Sequence, residues 1–167
     1  MNNLVTLIIP SYRSKKLILK HIKNFYNKYK IIIIENSYDR KLKNLIQKDF
    51  PKVSIYLKKN IGYGKAVNLA AKKVRTKYFF VMNPDAIIYK KTVDNLIIVA
   101  NKIQKFGAIG PIYENHKKKY KKKIIKVNKL ISAAMLINKN TFLKLKGYDE
   151  NFFLYYEDDD FFLKCNS

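Results

Sequence analysis

Carboxylates are scarce in this chain, which has 12 acidic residues against 35 lysines and arginines, and their placement points to chemistry. Asp85 ends the segment 77–85, KYFFVMNPD, and six further acidic residues lie within residues 149–160. A carboxylate beside a phosphate-bearing substrate can hold a divalent cation, and crowded carboxylates can supply a general base. These two stretches therefore contain the candidate functional residues.

The segment before Asp85 predicts a buried strand that ends in a polar turn. Residues 78–82 are apolar and rich in aromatics, and Pro84 restricts Asn83 to an extended conformation. Asp85 is thereby delivered just past the carboxyl end of the strand, where open α/β sheets bind ligands. A polar turn that only caps the next element explains Asn-Pro-Asp equally well.

Residues 157–160 are four adjacent carboxylates at the predicted start of a helix. Because the helix dipole favours carboxylates in a first turn, a capped helix is one interpretation. The other is a general base, since mutual repulsion beside buried aromatics raises the pKa of one carboxyl. Asp149 follows Gly147 closely and is typical of a turn. The aromatics predicted to be apolar anchors are Phe152, Phe153, Tyr155 and Tyr156.

The elements that must position these residues alternate between apolar runs and segments of helical periodicity. This order predicts a right-handed parallel α/β sheet with helices on both faces. Gly62 and Gly64 open the third helix; such a start can bind an anion, although a tight turn is the more common use of these glycines. The predicted strands are 4–9, 31–34, 53–57 and 77–82, and the predicted helices are 14–29, capped by Ser14, 39–50, capped by Asp39, and one from Gly62.

Shorter elements are predicted in the second half of the chain. His21 and His116 have no partner at metal-ligand spacing, so we expect both at the surface. The predicted elements are a helix from Thr92 to about residue 106, a strand at 107–112, a basic loop or hairpin at 117–123, an edge strand at 124–127, a buried segment at 130–137, and a short helix capped by Asn140 or Thr141 and ended by Gly147.

Composition limits the class of protein. The length of 167 residues predicts one domain, and no apolar run reaches the roughly 18 residues that a membrane span needs. The first residues lack the pattern of a signal peptide because Pro10 interrupts the apolar run. A single cysteine, Cys165, fits a reducing compartment. We therefore expect a soluble, cytoplasmic protein.

The net charge of +23 raises the alternative of a basic nucleic-acid-binding module. Arginine, whose planar fork reads bases and phosphates, occurs only at Arg13, Arg40 and Arg75. The lysines are spread along the whole chain, so we expect no nucleic acid as a partner. The charge does favour polyphosphate substrates and peripheral contact with an anionic membrane surface at the cytoplasmic face.

Six strings occurring in order make the chain resemble the inverting glycosyltransferases of family 2, within them the rhamnosyltransferase-like branch. The resemblance covers nearly the whole chain and implies the GT-A fold, a Rossmann-like mixed, mostly parallel sheet flanked by helices. The strings are IIPSYRS, IIIIENSYD, NIGYGKAVN, FVMNPD, ISAAML and GYDENFFLYYEDDD.

The resemblance also implies roles for individual residues. Asp85 matches the metal ligand of a DxD-like site, and Glu157 and Asp158 match an ED pair in which Asp158 is the catalytic base. Glu35 stands where the family usually has an aspartate that hydrogen-bonds the nucleotide base. The positions that match donor-binding motifs are Pro10, Tyr12, Glu35, Asn36, Ser37, Asn60, Gly62, Gly64, Asn68 and Asn83.

The implied reaction moves a sugar with inversion from a dTDP- or UDP-sugar to a saccharide or lipid-linked acceptor, with Mg²⁺ or Mn²⁺ as cofactor. Polysaccharide synthesis is the implied setting. Family members usually continue well past the ED pair, so we expect the acceptor-side elements to be missing from residues 1–167. A donor-binding fragment without turnover is therefore the alternative within this family.

Overall fold

The computed structural model describes residues 3–103, 105–112 and 124–166 and contains a mixed, mostly parallel sheet flanked by helices. The predicted fold class is thereby confirmed. The strands are β1 (Val5–Ser11), β2 (Lys30–Glu35), β3 (Val53–Leu57), β4 (Tyr78–Met82), β5 (Ala108–Ile109) and β6 (Ala134–Asn138). The helices are α1 (Lys15–Phe25), α2 (Arg40–Asp49), α3 (Tyr63–Ala71), α4 (Thr92–Lys102), α5 (Lys139–Lys144) and α6 (Glu157–Asn166).

The strand order is β3-β2-β1-β4-β6-β5, which places a topological switch point between β1 and β4. From β1 the chain builds outward to β2 and β3, then crosses back through α3 to add β4 on the other side of β1. These four strands are parallel, whereas β6 runs antiparallel to both β4 and β5. The start of β6 therefore lies at the same edge as the carboxyl ends of the parallel strands.

Alternate residues of the central strands enter two apolar clusters, one on each face of the sheet. Leu7 and Phe80 belong to the cluster under α1, α2 and α4, whereas Ile8 and Phe79 belong to the cluster under α3, α5 and α6. Burying each such side chain contributes roughly 1.5–3 kcal/mol. Because both faces of the sheet are covered, the strand sequences are continuously apolar and do not alternate between apolar and polar residues.

The predicted ends of the second helix agree with the structure better than those of the first. Asp39 caps α2 as predicted, because its carboxylate accepts the Leu42 N–H at 2.8 Å. Ser14 occupies the predicted N-cap position of α1, but its side chain does not cap the helix, since its hydroxyl donates to the Tyr12 carbonyl instead. The predicted end of α1 at residue 29 is also wrong: after Phe25 the chain turns, with the Lys28 N–H bonded to the Phe25 carbonyl, so that it can reverse into β2.

Strand β1 is longer than predicted, because Pro10 does not end it. Pairing with β4 stops at Ile8, so at Pro10 the neighbouring strand is β2 alone. The missing N–H of proline therefore removes no hydrogen bond to β4. As a result Pro10 and Ser11 extend beyond the end of the β1–β4 ladder, at the switch point.

Several predictions for the second half are wrong. Helix α4 ends at Lys102, the strand predicted at 107–112 is only two residues long, and residues 124–127 form no strand and expose Ile124, Ile125 and Val127. These residues do not join the sheet, although β3 and β5 are its edge strands and have no further strand beside them in the described part of the chain. The short helix begins earlier than predicted, capped by Asn138. The basic segment 117–123 and His116 lie outside the described residues.

Within the described ranges, no helix combines the length and the apolar character that crossing a membrane requires.

Candidate active site

An open cleft of about 320 Å³ lies at the switch point, between the chain segments that follow β1 and β4. Open α/β sheets bind ligands at this position, outside the carboxyl ends of their strands. Four of the sequence-predicted site residues line it. The lining residues are Pro10, Tyr12, Ser14, Leu17, Tyr63, Asn83, Pro84 and Asp85.

The turn that carries Asp85 is held at both ends by backbone hydrogen bonds. The Asn83 N–H donates to the Ala133 carbonyl at 2.8 Å, and the Ala86 N–H donates to the Asn83 carbonyl at 3.2 Å. The side-chain oxygen of Asn83 is buried and has no hydrogen-bond partner. An amide oxygen has two lone pairs, so this oxygen is available to accept a hydrogen bond or to contact a cation.

These oxygen atoms fit a divalent cation, although they do not form a complete cage. The described residues contain no group of three or more His, Cys, Asp or Glu side chains that could hold a metal ion. Asp85 offers a carboxylate and Asn83 an amide oxygen, the hard ligands that Mg²⁺ and Mn²⁺ take. Mg²⁺ sites commonly combine one or two carboxylates with substrate phosphates, so the donor would have to supply the remaining ligands.

His21 is buried, and the prediction that it lies at the surface is wrong. Only 4% of the residue is exposed, and its Nε2 lies 2.8 Å from the carbonyl oxygen of Pro84. Burial lowers the pKa of His21, so the neutral ring is favoured. The helical spacing that places Ile18, Ile22 and Phe25 in the core also includes position 21, and this signal could have revealed the burial.

The loop after β2 is built around Glu35, whose side chain is buried. Its carboxylate accepts the backbone N–H of Ser37 at 3.1 Å and that of Asp39 at 2.8 Å, and it also accepts the Ser37 hydroxyl at 2.6 Å. The carboxylate thus fixes its own loop. Contact between Glu35 and a nucleotide base stays a prediction.

Backbone hydrogen bonds join this loop to its neighbours at the same edge. Asn36 N–H donates to the Ser11 carbonyl and Asn60 N–H to the Asn36 carbonyl, both at 2.7 Å. The Asn36 side chain donates to the carbonyl of Gly62 at 3.2 Å. The predicted donor-side residues therefore form one continuous rim from β1 to the start of α3.

The side chain of Asn68 is buried below the cleft surface, and its hydrogen bonds connect α3 to the segment before α6. Its side-chain amide donates to the Tyr148 carbonyl and accepts from the Tyr148 N–H, both at 2.9 Å. A second donation reaches Glu150. Asn68 is buried, so these contacts assign it a structural role, and its contact with a donor stays a prediction.

Asp158 is held by a residue that the sequence analysis missed. Its Oδ2 accepts the hydroxyl of Ser132, and its Oδ1 accepts the backbone N–H of Asp159 at 3.0 Å. Ser132 lies just before β6, the antiparallel strand, and therefore reaches the carboxyl edge of the sheet. The sequence signal for this contact was a polar residue, Ser132, within the otherwise apolar segment 130–137.

Glu157 and Asp158 differ in environment although they are adjacent. Glu157 is buried, its Oε2 has no hydrogen-bond partner, and burial raises the pKa of its carboxyl. A carbon placed as the Cβ of Gly64 would lie 3.5 Å from the Glu157 side chain, so the two are in close contact. The predicted rise of one pKa is thus found at Glu157, and burial is its main cause.

Three of the four aromatics before α6 are not the buried anchors that the sequence predicts, whereas Phe152 is half-buried. Phe153, Tyr155 and Tyr156 are exposed, the latter two at 70% and 68%. Tyr155 and Tyr156 also have positive φ angles, 69° and 67°, which bulky residues rarely adopt. Asp149 is structural as predicted, since its carboxylate accepts the Asn151 N–H at 2.9 Å.

The sheet order and the edge cleft define an α/β fold of the GT-A type, and the similarity to known proteins agrees. The profile of the family described as "Glycosyl transferase family 2" matches residues 6–162. The chain therefore belongs to glycosyl transferase family 2. An uncharacterized glycosyltransferase of Rickettsia typhi is 25% identical over 104 residues, which is 60% of this chain and 33% of the relative.

Solved glycosyltransferases share the fold. The mannosyltransferase PcManGT from Pyrobaculum calidifontis, in complex with GDP-Man and Mn²⁺, has a TM-score of 0.73 at 14% identity over 94% of this chain and 50% of that chain. TarS 1–349 from S. aureus, in complex with UDP-GlcNAc, has a TM-score of 0.71 at 14% identity over 97% and 53%. The chain thus spans about half the length of these structures.

Proposed function

We propose that the protein transfers a sugar from a nucleotide-diphosphate donor to an acceptor hydroxyl with inversion at the anomeric carbon. The observation that carries the proposal is the cleft at the switch point, which brings together Asp85, the unpaired oxygen of Asn83, and the Pro10 and Tyr12 segment. The bound GDP-Man and UDP-GlcNAc of the two structural neighbours support a nucleotide sugar as the ligand.

In this proposal Asp158 is the general base. Its carboxylate would take the proton of the acceptor hydroxyl while that oxygen bonds to the anomeric carbon and the bond to the diphosphate oxygen breaks. The hydroxyl of Ser132 and the Asp159 N–H orient the carboxylate for this step. A single displacement inverts the anomeric centre and needs no enzyme nucleophile.

Asp85 and Asn83 are the proposed ligands of a divalent cation, Mg²⁺ or Mn²⁺. When bound, such a cation neutralises the charge that develops on the departing diphosphate. Glu157 would support Asp158 indirectly: its buried side chain would fix the position of the first turn of α6, which carries Asp158. The predicted donor-binding residues from Glu35 to Gly64 would shape the rim of the cleft, and Asn68 would hold α3 behind them through its hydrogen bonds to Tyr148.

The sequence strings support a narrower assignment within the proposal. They favour the rhamnosyltransferase-like branch, a dTDP- or UDP-sugar as donor, and a saccharide or lipid-linked acceptor in polysaccharide synthesis. The net charge of +23 supports peripheral contact with an anionic membrane surface at the cytoplasmic face.

Calorimetric titration with UDP, dTDP and GDP, each with and without Mn²⁺, tests donor binding without requiring turnover. We expect binding that depends on Mn²⁺ and that Asp85→Asn abolishes, whereas Asp149→Asn, which alters only a turn, leaves it unchanged. Absence of metal-dependent binding to all three nucleotides would contradict the proposal. Binding of oligonucleotides that falls with salt and survives Asp85→Asn would favour a nucleic-acid module instead.

Turnover is tested with a panel of dTDP- and UDP-sugars and a separate pair of variants. Asp158→Asn should abolish transfer while leaving nucleotide binding intact. Asp159→Asn is the matched control, because its carboxylate forms an exposed ion pair with Lys129. Donor binding without transfer in the wild-type chain would favour the alternative of a donor-binding fragment.

A further inference from the structure

The side chain of His21 in helix α1 forms a hydrogen bond with the turn that carries Asp85. His21 lies on the core-facing side of α1, with Ile18 and Ile22, and its ring stacks on Phe25 with an interplanar angle of 12°. Its Nε2 lies 2.8 Å from the carbonyl oxygen of Pro84. The helix that packs under the sheet is therefore connected to the middle of the Asn83-Pro84-Asp85 turn.

The chemistry of the two groups settles the direction of this hydrogen bond. A carbonyl oxygen can only accept, so Nε2 must carry the proton and donate. The other ring nitrogen, Nδ1, is buried and has no hydrogen-bond partner. Burying a polar ring among apolar side chains is unfavourable, and the hydrogen bond to Pro84 offsets part of this free-energy cost.

The Pro84 carbonyl that accepts this hydrogen bond belongs to the peptide group that leads into Asp85. The backbone hydrogen bonds of Asn83 and Ala86 hold the two ends of the turn, and neither fixes the peptide plane between Pro84 and Asp85. Because that plane is rigid, the orientation of the Pro84 carbonyl also orients the N–H and the Cα of Asp85. The hydrogen bond from His21 acts directly on this orientation, because it is made to that carbonyl.

We propose that His21 is a positioning residue, which holds the Pro84 carbonyl and thereby fixes the Asn83-Pro84-Asp85 turn so that Asp85 points its carboxylate into the cleft. The part of this inference that concerns the cation rests on the proposed function. The part that concerns the turn does not, because both partners of the hydrogen bond, His21 and Pro84, belong to the chain itself.

Three variants separate the hydrogen bond from packing. His21→Phe fills the same space and can stack on Phe25 but has no donor, whereas His21→Gln retains an N–H donor at a similar distance from the helix. Ile22→Val is the control on the same helix; it removes a buried methyl group and so lowers stability without removing a hydrogen bond to the turn. Urea denaturation places the three variants on one stability scale.

The first readout needs no ligand. The Ala86 amide donates to Asn83 within the turn, so its hydrogen exchange, followed by NMR against amides of β4, reports whether the turn is closed. We expect about tenfold faster exchange in His21→Phe, near-normal exchange in His21→Gln, and no selective change in Ile22→Val. Unchanged Ala86 exchange in His21→Phe would overturn the proposal.

The second readout is the affinity for Mn²⁺ in the presence of UDP, measured by calorimetry. An about tenfold weaker affinity in His21→Phe, equivalent to about 1.4 kcal/mol, with recovery in His21→Gln, is expected from the loss of one hydrogen bond. Equal affinities in His21→Phe and the wild type would overturn the role toward the cation. If the wild type binds neither Mn²⁺ nor nucleotide, the proposed function fails, and the exchange of Ala86 alone decides the role of His21 in the turn.

Discussion

Replacing Gly62 with alanine should break the connection between α3 and the segment that leads into α6. Gly62 has φ 85° and ψ 171°, a backbone conformation that residues other than glycine essentially never adopt. An added Cβ would lie 2.5 Å from the carbonyl oxygen of Phe153. That same oxygen accepts the Tyr63 N–H at 3.0 Å, so the side chain would intrude on an existing hydrogen bond.

The magnitude follows from these two effects. The backbone strain costs about 1–3 kcal/mol, and loss of the hydrogen bond to Phe153 adds about 1 kcal/mol. We therefore expect Gly62→Ala to lower the free energy of unfolding by about 2–4 kcal/mol. For a chain of this size, that corresponds to a fall in Tm of roughly 5–15 °C.

Urea and thermal denaturation measure the change directly, with Gly110→Ala as the control. At Gly110 the atoms nearest to an added Cβ belong to the flexible side chain of Leu130, the closest at 3.3 Å, and φ lies outside the range that strains an L residue. We expect the control to change stability by less than about 1 kcal/mol. If Gly62→Ala is as stable as Gly110→Ala, the backbone at Gly62 is not strained and the reasoning is refuted.

Three further predictions concern residues around the site. Asp39→Ala should lower the free energy of unfolding by about 1 kcal/mol, measured in urea, because the Leu42 N–H loses its cap. Asn68→Ala should cost about 2–4 kcal/mol by the same assay, since both backbone groups of Tyr148 lose their buried partner. Glu157→Gln should raise stability at pH 7 but not below the ordinary carboxyl pKa of 4.5. Burial raises the pKa of Glu157, so the wild type loses stability as the pH rises from that value towards the folded pKa, and the neutral amide does not. A stability gain of equal size at pH 4 and pH 7 would contradict this assignment.

The sequence predicted the parallel half of the sheet well, because local signals are strong there. Strand β3 begins and ends at the predicted residues, and β2 and β4 differ by one residue or so at their ends. Continuous β-branched and aromatic runs, together with Asp39 as an N-cap, are sufficient for this. The placement of Asp85 at the carboxyl edge followed from the same local pattern.

What the sequence could not predict depends on contacts between distant segments. Nothing in the local pattern of β6 distinguishes an antiparallel strand from a parallel one, so the approach of Ser132 to Asp158 was not foreseen. The segment at 124–127 has the composition of a strand but does not join the sheet, and its sequence carries no signal of this. The exposure of Tyr155 and Tyr156 follows from a tight turn with positive φ, which aromatic composition does not indicate.

The pairing of β6 with β4 has a consequence for the order of folding. It joins Tyr78 to Asn138, so a loop of roughly 60 residues must close before this ladder forms. The pairing of β4 with β1 joins Val5 to Tyr78 and spans roughly 70 residues, so it too is long-range, and only the β1–β2 and β2–β3 ladders join neighbouring segments. Because the chain is synthesised from its N-terminus, we expect the cleft containing Asp85 to form when β4 docks on β1, and Asp158 to arrive after β6 and α6 have been made. Two long-range pairings must therefore form before the two carboxylates lie at one edge of the sheet.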